Sequence, residues 1–491
     1  MEKSTDEKQA RLLKLKEIKG RKVNPYPSTN KRTHPIGQAL ELFEKMAKQK
    51  KVVALVGRLK TVRMHGGLSF AHLEDGKGAI QISFKKNILG DRHYNFFKNL
   101  VDIGDFIRVK GTLFSTKTGE KTLEVESFKF LAKSLLPLPE KWHGLSDVEV
   151  RYRKRYLDLI ANPQVRAIFK KRSLISKTIR EFFEKEGFME VETPILQPIP
   201  GGATAKPFVT HHNALNSDFY LRIAPELYLK RLIVAGFERV YEISRCFRNE
   251  GIDWSHNPEF TQIELYQAYA DYNDLMRMTE KFFAFLMKKI NGGGTKIIYE
   301  KNEIDLAPPY ERITFRDVLM RLANCDIEQY PTKDNMAKKA GEYGLEILPS
   351  DDRGKIMDEI FKKVVRPKII KPTFITNHPL ELSPLAKKIY DDPRYVERFQ
   401  LIVGGVELIN AFSELNDPVD QRERFTAQQK MREAGDTEAM RIDEDFIEAL
   451  EHGMPPTAGL GMGIDRLTAL LTNSHNVKEV ILFPTLKPEQ K

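Results

Sequence analysis

The sequence predicts an α+β protein, with a small five-stranded β-barrel followed by a larger domain of mixed sheet and helix. Three observations lead there. Between Lys51 and Leu131, five short segments alternate apolar and polar residues, with turns at Gly66-Gly67, Asp75-Gly76 and Thr118-Gly119. A helical stretch, roughly Tyr94 to Leu100, falls between the third and fourth segments. Beyond Asn162 a long helical apolar stripe gives way to strands and helices in irregular alternation, with no internal repeat.

In chain order, residues 1–50 read as one or two basic helices joined by NPYPSTN. The barrel segments are KVVALVGRLKTVRMHGG, LSFAHLED, GAIQISFK, DFIRVKGTLFS and KTLEVESFKFL. Five strands with a helix after the third form the pattern of an OB-fold. Such barrels hold single-stranded nucleic acid by stacking bases on exposed aromatic rings. Ile80, Ile82 and Phe84 alternate inward and leave Gln81 outward, while Phe70 shares a polar face with His72 and Glu74. A proline-rich connector, LLPLPEKWHGL, follows. Asn162-Pro163 then supplies a helix cap and first turn. Val165, Ile168, Phe169, Ile175, Ile179, Phe182 and Phe183 recur at helical spacing until Gly187, a stripe suited to core or subunit contact. Gly292-Gly293-Gly294 marks a loop, and residues 327–366 read as a helical insertion. The expected organisation is a basic extension at 1–50, the barrel at 51–132, a linker at 133–150 and the large domain at 151–491.

Composition narrows the function. A chain of 491 residues, 41% hydrophobic and 30% charged, can bury two or three sizeable cores. No apolar run approaches the ~20 residues of a membrane span. The first residues lack an apolar signal core, and Glu2, Asp6, Glu7 and Glu17 oppose a transit peptide. Two cysteines, Cys246 and Cys325, give neither a disulfide framework nor zinc spacing, so a cytoplasmic location is expected. Net charge is +11, and residues 1–51, with 14 Lys+Arg against 6 Asp+Glu, hold +8 of it. A solvated basic face is the usual explanation of such a run. Beside a barrel of this type, attraction to nucleic acid is the sharper one.

The chemistry concentrates in FRNEGIDWSHNPEFTQIELY, Phe247 to Tyr266, which reads as strand, polar loop and strand. Phe260, Glu264 and Tyr266 share one parity and so one face. Arg248 and Glu250 close the incoming strand, and Asp253, His256, Asn257 and Glu259 lie in the loop. Arginine clamps a phosphate or carboxylate with two bonds, and an aromatic ring accepts a flat heterocycle. A charged surface hairpin would explain Arg248 alone. Two further segments weigh against that reading. In VELINAFSELND, Asn410, Phe412 and Glu414 alternate on one face, and GLGMGIDRL sets three glycines before Asp465, Arg466 and an apolar helical run.

These segments resemble the class II aminoacyl-tRNA synthetases: Phe247–Tyr266 is similar to motif 2, GLGMGIDR to motif 3 and GFMEVETP to motif 1. GGATAKPF, APELYLK, RNEG with HNPEFT, and AFSELND resemble the lysyl-tRNA synthetase family in particular, in order along nearly the whole chain. The resemblance implies a mainly antiparallel catalytic sheet flanked by helices and a homodimer with Pro194 at its interface. It also implies a magnesium-dependent reaction of L-lysine, ATP and tRNA(Lys) through lysyl-adenylate. Matched positions put Arg248 between the lysine carboxylate and the α-phosphate. Phe260 stacks on adenine, with Arg466 on its other side near the γ-phosphate. Glu250, His256 and Asn257 line the nucleotide, and Glu407 holds magnesium. Glu226, Glu264 and Gly202 surround the lysine α-ammonium, Asn410 the carboxylate, and Glu414 and Tyr266 the ε-ammonium, with Phe412 in the same pocket. Phe70 and Gln81 match the positions that read the central anticodon base. The carboxylate expected on the last barrel strand falls on Ser127, with Glu124 and Glu126 close by.

Two features sit awkwardly. Glu407 has the opposite parity to Asn410, which only a β-bulge would reconcile. The family's second metal-binding glutamate, seven residues before the first, is here Gln400, whose amide oxygen brings no charge. Competing readings are an aspartyl- or asparaginyl-type ligase, a lysine-activating enzyme that modifies protein, and an inactive paralogue that binds RNA through the barrel.

Overall fold

The computed structural model describes residues 2–139, 145–348, 351–433, 435 and 438–489, with side chains from residue 6 onward. Part of the expected linker, 140–144, and two positions of the expected insertion, 349–350, lie outside the described residues. The chain divides into two compact units, Met1–Ser146 and Asp147–Lys491.

In the first unit, strands β1 (Val53–His65), β2 (Leu68–Glu74), β3 (Ala79–Lys85), β4 (Phe106–Ser115) and β5 (Lys121–Ala132) close a barrel in the order β1-β2-β3-β5-β4. Alternation decides which residues face inward: Ser69, Ala71 and Leu73 of β2 are buried, whereas Phe70, His72 and Glu74 are not. Helix α2 (Asp91–Leu100), between β3 and β4, turns Tyr94, Phe97 and Leu100 into the core, where Phe97 stacks on Phe84 with centroids 3.7 Å apart. The basic extension begins with α1 (Glu2–Gly20), which docks on the barrel through charge. Arg11 donates to the Ile103 carbonyl at 3.0 Å, and Lys14 pairs with Asp102 at 2.5 Å. Asp102 is shared with the fully buried Lys133, which also pairs with Asp105 at 2.8 Å. Some of the N-terminal positive charge is therefore spent on attachment.

The second unit is organised by one sheet. Its strands are β6 (Met189–Glu190), β7 (Arg239–Phe247), β8 (Glu259–Ala268), β9 (Glu311–Thr314), β10 (Thr373–Pro379), β11 (Tyr395–Val403), β12 (Val406–Ser413) and β13 (Thr457–Gly463), in the order β9-β10-β11-β12-β13-β8-β7-β6. Only the outer pairs, β9–β10 and β7–β6, are parallel. One face is covered by α3 (Pro163–Lys185) and α5 (Tyr272–Ile290): Ile175, Ile179, Phe182, Phe183, Phe282 and Phe283 form one core with Ile263, Leu401, Ile409 and Met462. At the start of α3, Pro163 occupies the first turn as expected, but the Asn162 amide donates to Asp158 at 2.6 Å instead of capping the helix. Helix α4 (Glu226–Val234) packs with Val240, Tyr266 and Phe446 on a separate smaller core.

Residues 327–366 are largely helical. They include Lys333–Gly341 and α6 (Arg353–Ile360), which runs on through one π-helical turn, Phe361–Val365. Their core, Met336, Ile356, Ile360 and Phe361, packs on Ile375 and Ile402. Among the described residues no helix is long and apolar enough to cross a membrane.

Candidate active site

With helices on one face, the opposite face of the sheet must carry the other parity of every strand, and it does so over an open cavity of about 420 Å³. Register aligns the side chains in rows. Gln400 faces Asn410, Asn410 faces Gly461, and Gly461 faces Glu264. In the next row Arg398 faces Phe412, then Gly459, then Tyr266. The glycines of β13 leave the middle of the floor bare. A Cβ at Gly459 would lie 2.1 Å from Glu414 Oε1 and 2.4 Å from Tyr266 Cε1, so no side chain fits there. Gly202, at φ +84, lines the rim; a Cβ there would come within 2.9 Å of Glu226 Cβ.

The β-bulge that parity required is present. Leu401 faces Ile409 while Ile402 faces Glu407, so Leu408 is the extra residue and Glu407 turns to the same cavity as Asn410. Helix α7 (Ile464–Leu471) begins directly after β13 and carries Asp465 and Arg466 in its first turn. Asp465 accepts from the Thr261 backbone N–H at 2.9 Å and pairs with Arg172, fixing the helix start to β8.

At one end the cavity is cationic and aromatic. The Arg248 guanidinium lies 5.0 Å over the Phe260 ring, and its buried Nε has no hydrogen-bond partner. His256 is tied to Asp253 by a 2.8 Å contact at Nδ1, which leaves Nε2 facing Arg466 at 3.3 Å. That His256 contact and backbone donors overcome partial burial to hold the Asp253 carboxyl at about 2. Glu250 and Asn257 also line the wall. The Asn257 amide nitrogen donates to the Glu259 carbonyl at 2.6 Å, and its buried Oδ1 has no partner.

The other end is acidic and closed. Glu226, Glu264 and Glu414 are buried around Tyr266. Lys230, one helical turn after Glu226, places its buried ammonium 2.5 Å from Glu226 and in contact with Glu414. Burial pulls the Lys230 pKa down, but the two carboxylates outweigh it and keep the ammonium charged. Glu264 accepts from Gln262 at 2.6 Å and from the Tyr266 hydroxyl at 3.2 Å. Burial, reinforced by Glu226, pushes its pKa up to about 8. Glu414 stands just past the end of β12 and off the cavity wall, and its Oε1 lacks a hydrogen-bond partner.

The structure thus gathers Gly202, Glu226, Arg248, Glu250, His256, Asn257, Phe260, Glu264, Tyr266, Gln400, Glu407, Asn410, Phe412 and Arg466 on one cavity, with Glu414 immediately behind Gly459. Sequence reasoning missed Lys230 and Arg398. Spacing from Glu226 could have found Lys230, and strand parity with Gln400 could have found Arg398. Arg398 Nε donates to Asn410 Oδ1 at 2.8 Å, which leaves the Asn410 amide nitrogen as the free donor. Lys362 and Asp358, which reach the cavity from the helical insertion, had no such signal. On the barrel, Gln81 donates to Thr122 Oγ1 at 2.8 Å. Phe70 faces Ser83, which faces Glu124, so Glu124 shares the row of Phe70. Pro194 is exposed and is followed by exposed Ile195 and Leu196.

Comparison with known proteins is consistent across the chain. Residues 147–487 match the family of tRNA synthetases class II (D, K and N), and residues 53–131 match the OB-fold nucleic acid binding domain. The chain is 52% identical to a lysine–tRNA ligase of Pelotomaculum thermopropionicum over 98% of its own length and 94% of that protein's. It is 48% identical to a lysine–tRNA ligase of Moorella thermoacetica over 100% of both. It is 53% identical to that of Thermoanaerobacter pseudethanolicus over 89% of this chain and 88% of the relative.

The buried charges give a stability prediction. Lys230→Met strands Glu226 and Glu414, and should cost about 3–5 kcal/mol at pH 8. Unfolded carboxyls titrate near 4.3. Below that range the stranded acids enter the fold already protonated, so the deficit should shrink as pH falls to 4. Thermal melts of both proteins across that range check this; an equal deficit at pH 4 and pH 8 would contradict it.

Proposed function

Because the chain belongs to the class II tRNA synthetases, and within them to the lysine–tRNA ligases, we propose that its cavity joins L-lysine to ATP and passes the product to tRNA(Lys). The observation that carries the amino-acid choice is the charge count at the acidic end. Three carboxylates face one internal ammonium, Lys230, and the buried Arg398 guanidinium beside Glu226, so full ionisation leaves an excess of one negative charge there. Lysine brings two ammoniums, and its own carboxylate points toward Arg248. Aspartate would set an anion against Glu414. Leaving a buried carboxylate unpaired costs about 1–3 kcal/mol or more, enough for strong discrimination.

Each side chain then has a task. Glu226 and Glu264 hold the α-ammonium, with Gly202 close above. Glu414 Oε1 and the Tyr266 hydroxyl take the ε-ammonium, and Phe412 lines the methylenes. Asn410, oriented by Arg398, donates to the carboxylate. Phe260 and Arg466 sandwich adenine while Glu250, His256 and Asn257 border the nucleotide. The lysine carboxylate needs no proton removed at neutral pH, so its attack on the α-phosphorus requires no protein base. The barrier lies in bringing two anions together, and Arg248 opposes it by binding both. The terminal ribose hydroxyl of tRNA then attacks the activated carbonyl.

Among the described residues no group of three or more His, Cys, Asp or Glu gathers as a metal cage. This suits magnesium, which is held by one or two carboxylates together with substrate phosphates. Glu407 fits: its nearest cation, Arg366, is 3.9 Å away, which leaves the carboxylate available. When bound there, magnesium would neutralise charge on the phosphates. The barrel row of Phe70, with Gln81 and Glu124, is the surface for the anticodon. The exposed apolar run after Pro194 supports a homodimer, and the two unpaired, buried cysteines support a cytoplasmic setting.

Aminoacylation of tRNA(Lys) with a panel of amino acids tests the assignment, and charging by aspartate or asparagine in preference to lysine would end it. Lysine binding should also release a proton below pH 8, because an arriving ammonium lowers the Glu264 pKa from about 8. Affinity should therefore rise with pH and level off above 8. Calorimetry in buffers of different ionisation heat reads this directly, and a pH-independent affinity would count against Glu264. Phe70→Ala should reduce tRNA charging at least tenfold while leaving lysine-dependent pyrophosphate exchange intact; loss of exchange would contradict the division of labour.

A further inference from the structure

The phosphate end of the cavity has an unexpected balance of charge. Gln400, where the resemblance puts a second acidic ligand, contributes none. Its Oε1 contacts His378 Nε2 at 3.3 Å. An amide oxygen only accepts, so the imidazole donates and Oε1 is engaged on the inner side. The amide nitrogen remains as the group that Gln400, a cavity-lining residue, presents to a ligand. That group is a donor, which suits an anion and repels a cation.

Two further cations lie near Glu407, one on the same cavity and one on the recess that adjoins it. The π-helical turn Phe361–Val365 interrupts the regular end of α6, and such turns re-aim side chains. It carries Lys362, which reaches the cavity wall and pairs with Asp358 at 2.5 Å. Arg366 follows the turn. It borders a small recess that shares Glu407 and Arg466 with the main cavity, and its buried Nε has no hydrogen-bond partner. Arg366, Lys362 and Arg466 thus stand around Glu407, while Asp358 on the same wall is paired with Lys362.

We propose that the Gln400 amide nitrogen, Lys362 and Arg366 bind the triphosphate directly, in place of a second divalent ion held at position 400. Fixed side-chain cations supply the neutralisation that a second ion would bring. The inference rests on the cavity being the ATP site, and the test separates the two claims.

Manganese bound with a non-hydrolysable ATP analogue and lysine is counted per site by electron paramagnetic resonance, and analogue affinity is measured by calorimetry. Wild type should bind one manganese fewer than Gln400→Glu. Lys362→Met and Arg366→Met should each weaken the analogue at least tenfold at fixed magnesium, with lysine affinity alone unchanged. Equal manganese counts in wild type and a folded Gln400→Glu protein, or wild-type analogue affinity in both cation variants, would overturn the proposal. Lysine affinity reports folding; should Gln400→Glu lose it, the two cation variants decide the matter alone. Failure of wild type to bind the analogue at any metal concentration would instead remove the ATP assignment itself.

Discussion

Burying charge is the constraint from which this site follows. Three carboxylates and an ammonium sit at the closed end of the cleft, where an unbalanced ion is costly. Lys230 offsets part of the repulsion and lets the empty pocket fold. It does not offset all of it, and Glu264 answers by holding a proton near neutral pH. In the proposed function, a doubly cationic amino acid relieves the residual imbalance.

The sheet makes that arrangement possible by dividing its two faces. Ile263, Ile409 and Met462 pack under the helices, and their neighbours Glu264, Asn410 and Gly461 point the other way in one row. A single slip in register would turn the charged set into the core. The Leu408 bulge is the local exception, and it brings Glu407 back to the cavity after a change of parity. Strands hold the acidic end, while the cationic end draws Lys362 and Arg366 from helical elements outside the sheet.

Much of this was legible in the sequence because it is periodic. The five barrel strands, the α3 stripe and the shared face of Phe260, Glu264 and Tyr266 all follow from alternation of residue type. What escaped depends on contacts between elements. The Glu226–Lys230 pair has helical spacing, but nothing local says that Glu414 closes on it from another strand. Arg398 reads as a surface arginine until the strand pairing brings Asn410, diagonal to it on the next strand, within hydrogen-bond reach. The bulge inserts one residue without a glycine to mark it, so only the conflict at Glu407 pointed to it. Which barrel carboxylate neighbours Phe70 needed the register between β3 and β5, a long-range pairing.

The bare backbone at Gly459 has a consequence for the pocket's form. Every replacement there drives a carbon into Glu414 and Tyr266, so the position admits a side chain only if those two groups move. A change in the pocket's form must come from residues that carry side chains, such as Phe412 or Met440 on the same wall. The form of the floor is set as much by this position, which carries no side chain, as by the residues around it.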